Sequence, residues 1–376
     1  MGTDKNITEV IRVFFKLGLF AFGGPAAHIA MMEDEVVQKR KWMDRQQFLD
    51  LIGATNLIPG PNSTEMTMHC GHARAGYKGL ILGGLAFILP AILITGVLAW
   101  LYVKYGQLPE VKPFIIGIKP AVLAIIASAI LKLGKKALKN FPLGMLGVGV
   151  LVLSLIGVNE VYALIGAGLF WAILAPVKNR FSNTSNGLLP LSVFHPGYLI
   201  VSKITTWKVF LTFLKVGAIL YGSGYVLFAY LDAELVEKGW LSRQELLDAI
   251  AVGQFTPGPV LSTATFIGYQ LNGFWGAVAS TTGIFLPSFI FVLVLNPLIP
   301  KMQKSAFFRA FLDGVNVAAI AVMTGVLFFM GKEVLLDWKS ILIASLSVFI
   351  TFGLKKLNPM WTILCGAGLG YLLTLV

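Results

Sequence analysis

Long apolar segments without charge alternate with short polar segments along the chain. Several of these segments contain no Asp, Glu, Lys or Arg, and each has about the length of the roughly 20-residue helix that crosses a bilayer. Because such segments recur from one end of the chain to the other, the pattern predicts an all-α polytopic membrane protein. The uncharged segments are 79–103, 141–158, 274–300, 314–331 and 358–376.

The apolar pattern is broken twice by Pro-Gly-Pro, at 59–61 and 257–259. Proline lacks the amide proton that an α-helix needs and clashes with the preceding turn, so a helix cannot run through either motif. We expect one helix to end before each motif and another to begin at Pro61 or Pro259. Broken backbone at membrane depth is tolerated where it is buried in protein or lines a cavity. Two breaks at matching positions therefore indicate a transporter's substrate site.

The two halves of the chain repeat each other at an offset of about 198 residues. The repeat aligns the two Pro-Gly-Pro motifs, aligns Lys16 with Lys215, and aligns Leu89-Pro90 with Leu286-Pro287. A duplication over nearly the whole chain predicts two homologous domains. The predicted boundaries are 1–177 for the first repeat, 178–203 for a connector that contains Asn, Ser, Pro and Gly, and 204–376 for the second repeat.

The membrane topology depends on the two short helices that meet at each Pro-Gly-Pro. If they form a re-entrant hairpin, each half crosses the membrane about five times and the halves are inverted; if they form one broken span, each half crosses about six times and the halves are parallel. The lysines and arginines of the loops gather on one side more clearly in the hairpin arrangement. We therefore expect a multi-pass protein of the plasma membrane with inverted halves, a cytoplasmic connector and both termini outside.

The composition supports the membrane class and excludes others. Of 376 residues, 56% are hydrophobic and 13% are charged, against about 25% charged in soluble domains. The net charge of +12 would suggest nucleic acid in a soluble protein, but here the basic residues lie in short loops, so no nucleic-acid partner is expected. The cysteines and histidines show no disulfide or metal motif, and no nucleotide-binding loop occurs. The polar N-terminus predicts no cleavable signal peptide. We expect no cofactor, no metal and no catalytic residue.

The helices that begin at the two breaks present hydroxyl groups and backbone amides at their N-termini. The helix dipole gives such an end a partial positive charge, which suits an anion. Amide side chains just before the motifs, and glycines at the end of the first helix of each half, complete the predicted site. The candidate substrate-binding residues are Lys16, Gly23, Gly24, Asn56, Gly60, Pro61, Asn62, Ser63, Thr64, Lys215, Gly222, Ser223, Gln254, Gly258, Pro259, Ser262 and Thr263.

Three of the charged candidates leave alternatives open. Lys16 and Lys215 lie at equivalent places in the first helix of each half, where they either face the site and attract a dianion or extend to the membrane surface. Glu65 has Thr263 as its repeat counterpart. Its carboxylate either favours the helix N-terminus or carries a proton that couples transport. A carboxylate beside a dianion is compatible only when it is protonated or paired.

Short motifs follow one another in a fixed order in both halves. In the first half they are Phe22-Gly23-Gly24-Pro25-Ala26-Ala27-His28, Arg40-Lys41-Trp42, Leu57-Ile58-Pro59-Gly60-Pro61, Arg74-Ala75-Gly76 and Leu89-Pro90; in the second half they are Gly239-Trp240, Gln254-Phe255-Thr256-Pro257-Gly258-Pro259 and Phe285-Leu286-Pro287-Ser288. This ordered set resembles the chromate ion transporter family in its long, two-domain form. The resemblance implies a fold of duplicated membrane domains and efflux of chromate, an anion that mimics sulfate.

The leading hypothesis is a secondary transporter that moves a tetrahedral oxyanion, chromate or its analogue sulfate, by alternating access between inverted halves. A near alternative is the same fold moving another inorganic or organic anion. An alternative of a different class is a membrane-embedded enzyme that acts on phosphate-containing lipid, which would need a nucleophile or metal constellation. The expected partners are the lipid bilayer and a small oxyanion, and assembly as a homodimer is left open.

Overall fold

A computed structural model of the protein describes residues 2–22, 24–55, 58–178, 204–221, 224, 226–295, 305–353 and 359–374. The secondary structure of these ranges is helical. The first half contains α1 (Gly2–Phe20), α2 (Pro25–Met32), a π-helical stretch (Glu33–Lys39), α3 (Arg45–Thr55), α4 (Asn62–Tyr105), α5 (Lys112–Ala137), α6 (Phe141–Leu155) and α7 (Glu160–Lys178). The second half contains α8 (Thr206–Ile219), α9 (Leu227–Leu231), a π-helical stretch (Asp232–Val236), α10 (Arg243–Phe255), a 3₁₀ turn (Val260–Ser262), α11 (Thr263–Leu295), α12 (Ala306–Val334), α13 (Trp338–Gly353) and α14 (Pro359–Thr374).

Four helices in the described part of the chain are long and apolar enough to cross a membrane. Shorter apolar helices accompany them at Phe141–Leu155, Tyr162–Leu174, Trp338–Gly353 and Pro359–Thr374. These helices confirm the predicted all-helical membrane class. The predicted connector falls almost wholly on 179–203, which lies outside the described residues. The four long candidates are Asn62–Tyr105, Lys112–Ala137, Val260–Val294 and Ala306–Val334.

The two longest helices each contain a sharp reversal. The backbone leaves the helical region at Ala75 and Gly76 in α4, and at Asn272 and Gly273 in α11. Beyond the first reversal Gly79 packs directly on Gly71, although eight residues of straight helix would span about 12 Å. The chain therefore turns back on itself at each position. We call the segments on either side of the reversals α4a (62–74) and α4b (77–105), and α11a (263–271) and α11b (274–295).

The chain also turns back after α1. The ammonium group of Lys16 lies 4.0 Å from Glu35, and Arg40 lies 3.5 Å from Glu9, so the stretch after α1 runs antiparallel to it. Gly24, with φ +79°, precedes the turn into α2. Helix α1 is not among the described helices that are long and apolar enough to cross a membrane.

The helices α3 and α4a form the expected pair around the first Pro-Gly-Pro. The guanidinium of Arg74, at the end of α4a, lies 5.7 Å from the ring centre of Trp42, which stands just before α3. The same guanidinium binds Glu9 at 2.9 Å. The start of α3 and the end of α4a therefore lie together, and the Pro-Gly-Pro motif forms the tip between them. We call 58–61 the first tip and its counterpart, 256–259, the second tip.

Each half packs one of its helices against helices of the other half. Helix α5 packs against α13 and α14 of the second half, and its counterpart α12 packs against α6 and α7 of the first half. A side chain at Gly117 would overlap the backbone of Gly366 and Gly370. Such small residues let membrane helices approach closely. Helix α5 is antiparallel to α12, because Lys139 binds Asp313 at 2.7 Å near one end of the contact and Gly134 faces Ile320 further along it.

The two ends of the described chain lie far apart. Glu9 in α1 binds Arg74 just before α4b begins. Tyr371 in α14 stacks on Phe114 at the start of α5, with ring centres 4.7 Å apart, and α5 begins soon after α4b ends. The length of α4b, about 40 Å by its helical rise, therefore separates the two ends. The side of the membrane on which each terminus lies stays a prediction.

Candidate functional site

Each Pro-Gly-Pro tip is hydrogen-bonded to the opposite half of the protein. The amide of Gly60 donates to the carbonyl of Leu220 at 2.6 Å, just beyond α8. The amide of Gly258 donates to the carbonyl of Ala21 at 2.9 Å, just beyond α1. The two bonds are equivalent under the repeat. They place both tips at the contact between the halves, where the ends of the first helices meet them.

The central glycine of each tip has no room for a side chain. Gly60 has φ +142° and Gly258 has φ +84°, a region that L-residues rarely adopt. A Cβ at Gly60 would overlap the Glu65 carboxylate and the Ser288 hydroxyl. A Cβ at Gly258 would lie 2.9 Å from the Cβ of Ala91, the repeat counterpart of Ser288. Both tips therefore need glycine for conformation and for space.

The helices after the tips begin one residue later than predicted. Pro61 and Pro259 have extended backbone and cap the helices that start at Asn62 and Val260. The amides of Thr64 and Glu65 donate to the Pro61 carbonyl, and the amide of Ser262 donates to the Pro259 carbonyl. These three amides are thus already bonded within the protein, unlike the free cup of amides that we expected. Side chains at the tips offer further donors.

Several buried polar atoms at or next to the tips have no hydrogen-bond partner among the described residues. The hydroxyls of Thr64, Ser262 and Ser288 and the side-chain nitrogen of Gln254 are such donors. Both carboxylate oxygens of Glu65 are buried and without a partner as well. A buried polar group is normally hydrogen-bonded, so a cluster of unpaired ones needs an explanation such as a ligand or water. The cluster offers several neutral donors beside one carboxylate.

Apolar side chains from both halves surround the first tip. Ile58 of the tip is buried in one cluster with Met68 and Leu80 of α4 and Val292 of α11b. Apolar walls lower the local dielectric and strengthen every electrostatic contact within them. Charges and hydrogen bonds at the first tip therefore contribute more to the free energy of binding than they would in water.

The remaining candidates near the tips are distributed as follows. Gly24 is buried and begins the turn after α1, and Ser63 is buried in the first turn of α4. The Thr263 hydroxyl donates to the Val260 carbonyl at 2.8 Å, so that hydroxyl is already engaged. Asn62 is the first residue of α4. Four further candidates lie outside the described residues: Gly23, Asn56, Gly222 and Ser223.

The two lysine candidates pair with glutamates. The partner of Lys16 in the described chain is Glu35, at 4.0 Å, and that of Lys215 is Glu234, at 2.5 Å. The lysine side chains are 66% and 50% exposed, while the two glutamates are buried. The structure does not join these ammonium groups to the tips by any direct contact. Their role in binding the substrate stays a prediction.

Electrostatics around Glu234 favour its ionised form. Burial alone raises the pKa of this carboxyl, but hydrogen bonds from Lys215 and Lys238 outweigh burial, and the pKa lies below its usual value. Glu234 is therefore a carboxylate held between two lysines. The first half repeats this arrangement, with Glu35 between Lys16 and Lys39.

We expect Lys215→Ala to reduce anion transport while leaving the unfolding temperature near that of the wild type. Lys238 would still pair with Glu234, so the buried carboxylate would keep a counter-charge. Lys238→Ala is the matched control, because it removes the other partner of the same glutamate. Flux into vesicles and thermal unfolding would be measured for both variants. If both lose the same amount of flux, Lys215 acts through Glu234 rather than on the anion.

Ser288 is a site residue that we did not predict. It follows Leu286-Pro287, and the equivalent Leu89-Pro90 is followed by Ala91. The Leu-Pro pair marked a matched position in each half, but nothing in the local pattern indicated that α11b would bring Ser288 to Gly60. Ser288 is recognised as a site residue only from the contact between α11b and the first tip.

Paired broken helices inside a membrane helix bundle are typical of transport proteins. The family model described as "Chromate transporter" matches this chain twice, over residues 8–172 and 207–371. The chain therefore belongs to the chromate transporter family, which confirms the resemblance found in its motifs. Members of this family are transport proteins, not enzymes.

Similar proteins cover nearly the whole chain. The "Chromate transport protein" of Cupriavidus metallidurans is 33% identical over 97% of this chain and 92% of its own length. The "Probable chromate transport protein" of Synechococcus elongatus is 30% identical over 94% of this chain and 92% of its own. An "Uncharacterized transporter" of Methanocaldococcus jannaschii is 29% identical over 98% and 95%. No solved structure matches the chain.

Proposed function

We propose that this protein is a secondary transporter of tetrahedral oxyanions that exports chromate and accepts sulfate as an analogue. The observation that carries the proposal is that both tips have buried donors, at or next to them, without a partner among the described residues. Family membership and the names of the similar proteins support chromate as the anion.

The donors suit an oxyanion in number and kind. Three hydroxyls, from Thr64, Ser262 and Ser288, and the amide of Gln254 are neutral groups that can each donate one hydrogen bond to an anion oxygen. Hydrogen bonds to a charged group contribute about 1.5–3 kcal/mol each. The N-termini of α4 and α11 add partial positive charge. An anion bound there would touch both halves and hold them together.

Alternating access follows from the relation between the halves. The antiparallel arrangement of α5 and α12 and the crossed hydrogen bonds of the tips support inverted repeats, with each short helix pair entering the membrane as a re-entrant hairpin. In this arrangement the hairpins enter from opposite faces. Because the two ends of the chain are separated by the length of α4b, we place the N- and C-termini on opposite sides of the membrane.

Flux measurements in vesicles test the proposed function. Purified protein would be reconstituted into liposomes, and the entry of labelled chromate would be followed with and without excess sulfate. Saturable chromate flux that sulfate inhibits supports an oxyanion transporter. Flux of another inorganic or organic anion, with no flux of chromate or sulfate, would support the alternative substrate class and overturn chromate.

Glu65 provides the proposed coupling to protons. Its carboxylate is fully buried beside the first tip, close to where the anion would bind, and neither oxygen has a partner in the described part of the chain. A negative charge there repels an anion, so a proton on Glu65 would favour the binding of the oxyanion. Proton and anion would then bind together by reciprocal linkage.

We expect Glu65→Gln to make chromate flux independent of a pH gradient while keeping flux at equal pH. Glutamine has the size of a protonated glutamate but cannot release a proton. Flux would be measured at a fixed chromate gradient, with the pH gradient applied in either direction. Glu110→Gln, in the loop between α4 and α5, serves as the control that keeps the wild-type response. A Glu65→Gln protein that still responds to the gradient would exclude Glu65 as the coupling group.

A further inference from the structure

A second buried carboxylate lies in the first arm of the second hairpin. Asp248 of α10 is 5% exposed and accepts a hydrogen bond from the Tyr102 hydroxyl at 2.7 Å. The ammonium group of Lys119 lies 3.6 Å from the same carboxylate oxygen. The other oxygen, Oδ1, is buried and has no partner among the described residues. Tyr102 and Lys119 belong to α4 and α5 of the first half, so this contact ties α10 to the opposite half.

The charged surroundings of Asp248 are few. Lys119 also donates to Gln244 at 3.1 Å, one turn earlier in α10. Among the described residues, the groups that act electrostatically on Asp248 are Lys119 of α5, Tyr102 of α4 and Glu245 of α10. Arg243 of α10 is bound by Asp232 and Glu333. Tyr230, Tyr269, Cys365 and Tyr371 are further titratable groups on α9, α11 and α14, which pack on α10. Lys119 is the cation that balances Asp248.

The first half lacks this arrangement. Asp50, the repeat counterpart of Asp248, is exposed and accepts a hydrogen bond from Gln46 of its own helix. The position equivalent to Lys119 is Asn316. Helix α3 packs mainly on α4 and the π-helical stretch of its own half, whereas α10 packs on α5 and α4 of the opposite half. Both tips contact the opposite half, but in the described chain only the arm α10 is joined to it by this buried carboxylate contact, a difference between the hairpins that is expected of one state of a two-state transporter.

We propose that Asp248 is a proton-binding site and that its ionised form, bound by Lys119 and Tyr102, fastens the second hairpin to the first half. A proton from water would bind at the unpaired Oδ1 and neutralise the carboxylate. Lys119 would then lose its counter-charge, and the attraction between α10 and α5 would fall. Asp248 stands six residues before Gln254, about 9 Å along the same helix, so release of α10 would move the second tip. The role of this movement in transport rests on the proposed function.

The first test observes the proton without any anion. Protein in liposomes would be titrated while the infrared band of protonated carboxyl groups is recorded. We expect a component that grows as the pH falls, that is absent in Asp248→Asn and that persists in Asp50→Asn. Lys119→Gln should move the midpoint of this component to a higher pH by about one unit or more, since a nearby cation favours the ionised carboxyl. An unchanged titration in Asp248→Asn, or no upward shift in Lys119→Gln, would overturn the proposal.

The second test observes the hairpin. A cysteine in place of the buried Ala251 of α10, in a Cys365→Ala background, would report on access of a maleimide to the contact between α10 and its neighbours. Labelling should accelerate as the pH falls, and it should be rapid at every pH once Asp248→Asn is added. Adding Asp50→Asn instead should leave the pH dependence as it was. A labelling rate independent of pH would contradict the fastening role.

Neither test requires chromate. If chromate is not transported but both results are as expected, the proton site at Asp248 is supported and chromate is rejected as the substrate. If chromate is transported and Asp248→Asn alters neither measurement, the proton site at Asp248 is rejected and the proposed function is supported. Lys119→Gln keeps the proposal testable if Asp248→Asn fails to fold.

Discussion

Gly60→Ala and Gly258→Ala should each reduce oxyanion transport to the background of empty vesicles. Both glycines have positive φ, and a strained backbone of this kind costs about 1–3 kcal/mol for other residues. The added methyl group would also overlap Glu65 and Ser288 in one tip and press on Ala91 in the other. Relief of the overlap must displace the Glu65 and Ser288 side chains or the tip itself, and either change disturbs the unpaired polar groups. Flux into vesicles would be measured at equal amounts of inserted protein.

Gly239→Ala is the matched control for these substitutions. Gly239 also has positive φ, at +69°, but a Cβ there would meet no atom within 4 Å. Gly239→Ala therefore introduces the same kind of backbone strain but no overlap at the tips. This variant should transport at near the wild-type rate. If Gly60→Ala and Gly258→Ala transport as well as Gly239→Ala, the tips do not hold the substrate.

Removal of the unpaired hydroxyls should weaken anion binding strongly. We expect Thr64→Val, Ser262→Ala and Ser288→Ala each to raise the chromate concentration for half-maximal flux by about tenfold or more, since each loses a hydrogen bond of about 1.5–3 kcal/mol to a charged group. The maximal rate should change less, because the tips keep their backbone. Concentration dependence of flux separates the two quantities, and an equilibrium binding measurement with chromate checks the first directly.

Thr67→Val provides the comparison for the hydroxyl series. The Thr67 hydroxyl is buried in the same helix but donates to the Thr64 carbonyl at 2.6 Å, so no hydrogen bond to an anion is lost with it. We expect its concentration dependence to match that of the wild type. Equal affinity for chromate in all four variants would show that the unpaired donors serve some purpose other than binding this anion.

Features that depend on local chemistry could be predicted from the sequence. The membrane class follows from the length and polarity of the apolar segments. The two helix breaks follow from proline and glycine, whose effect on the backbone is confined to a few residues. Gly60 and Gly258 were identified in this way, and the structure gives both the unusual backbone and the close contacts expected there. The family, too, was evident from the ordered motifs, and the match over both halves confirms it.

Features that depend on distant segments were missed or misplaced. Lys16 and Lys215 were identified as charges within helices, but the sequence did not show that each would meet a buried glutamate on the returning stretch. The sequence also did not show that the chain turns back beside the first helix. The assignment of both termini to one side rests on a count of crossings, in which every error reverses the side, and it stays a prediction.

The sequence by itself determined that this protein is a duplicated helical membrane transporter with a broken helix at the matching place in each half. It also determined which glycines form the tips, because polarity, proline and glycine act over a few neighbouring residues. Only the tertiary structure decided which groups surround the tips and which helices of the opposite half contact each hairpin. Ser288 near Gly60, the crossed bonds to Ala21 and Leu220, and the contact of Asp248 with Lys119 join residues far apart in the chain. Such contacts depend on how whole helices pack, which no local pattern of residues specifies.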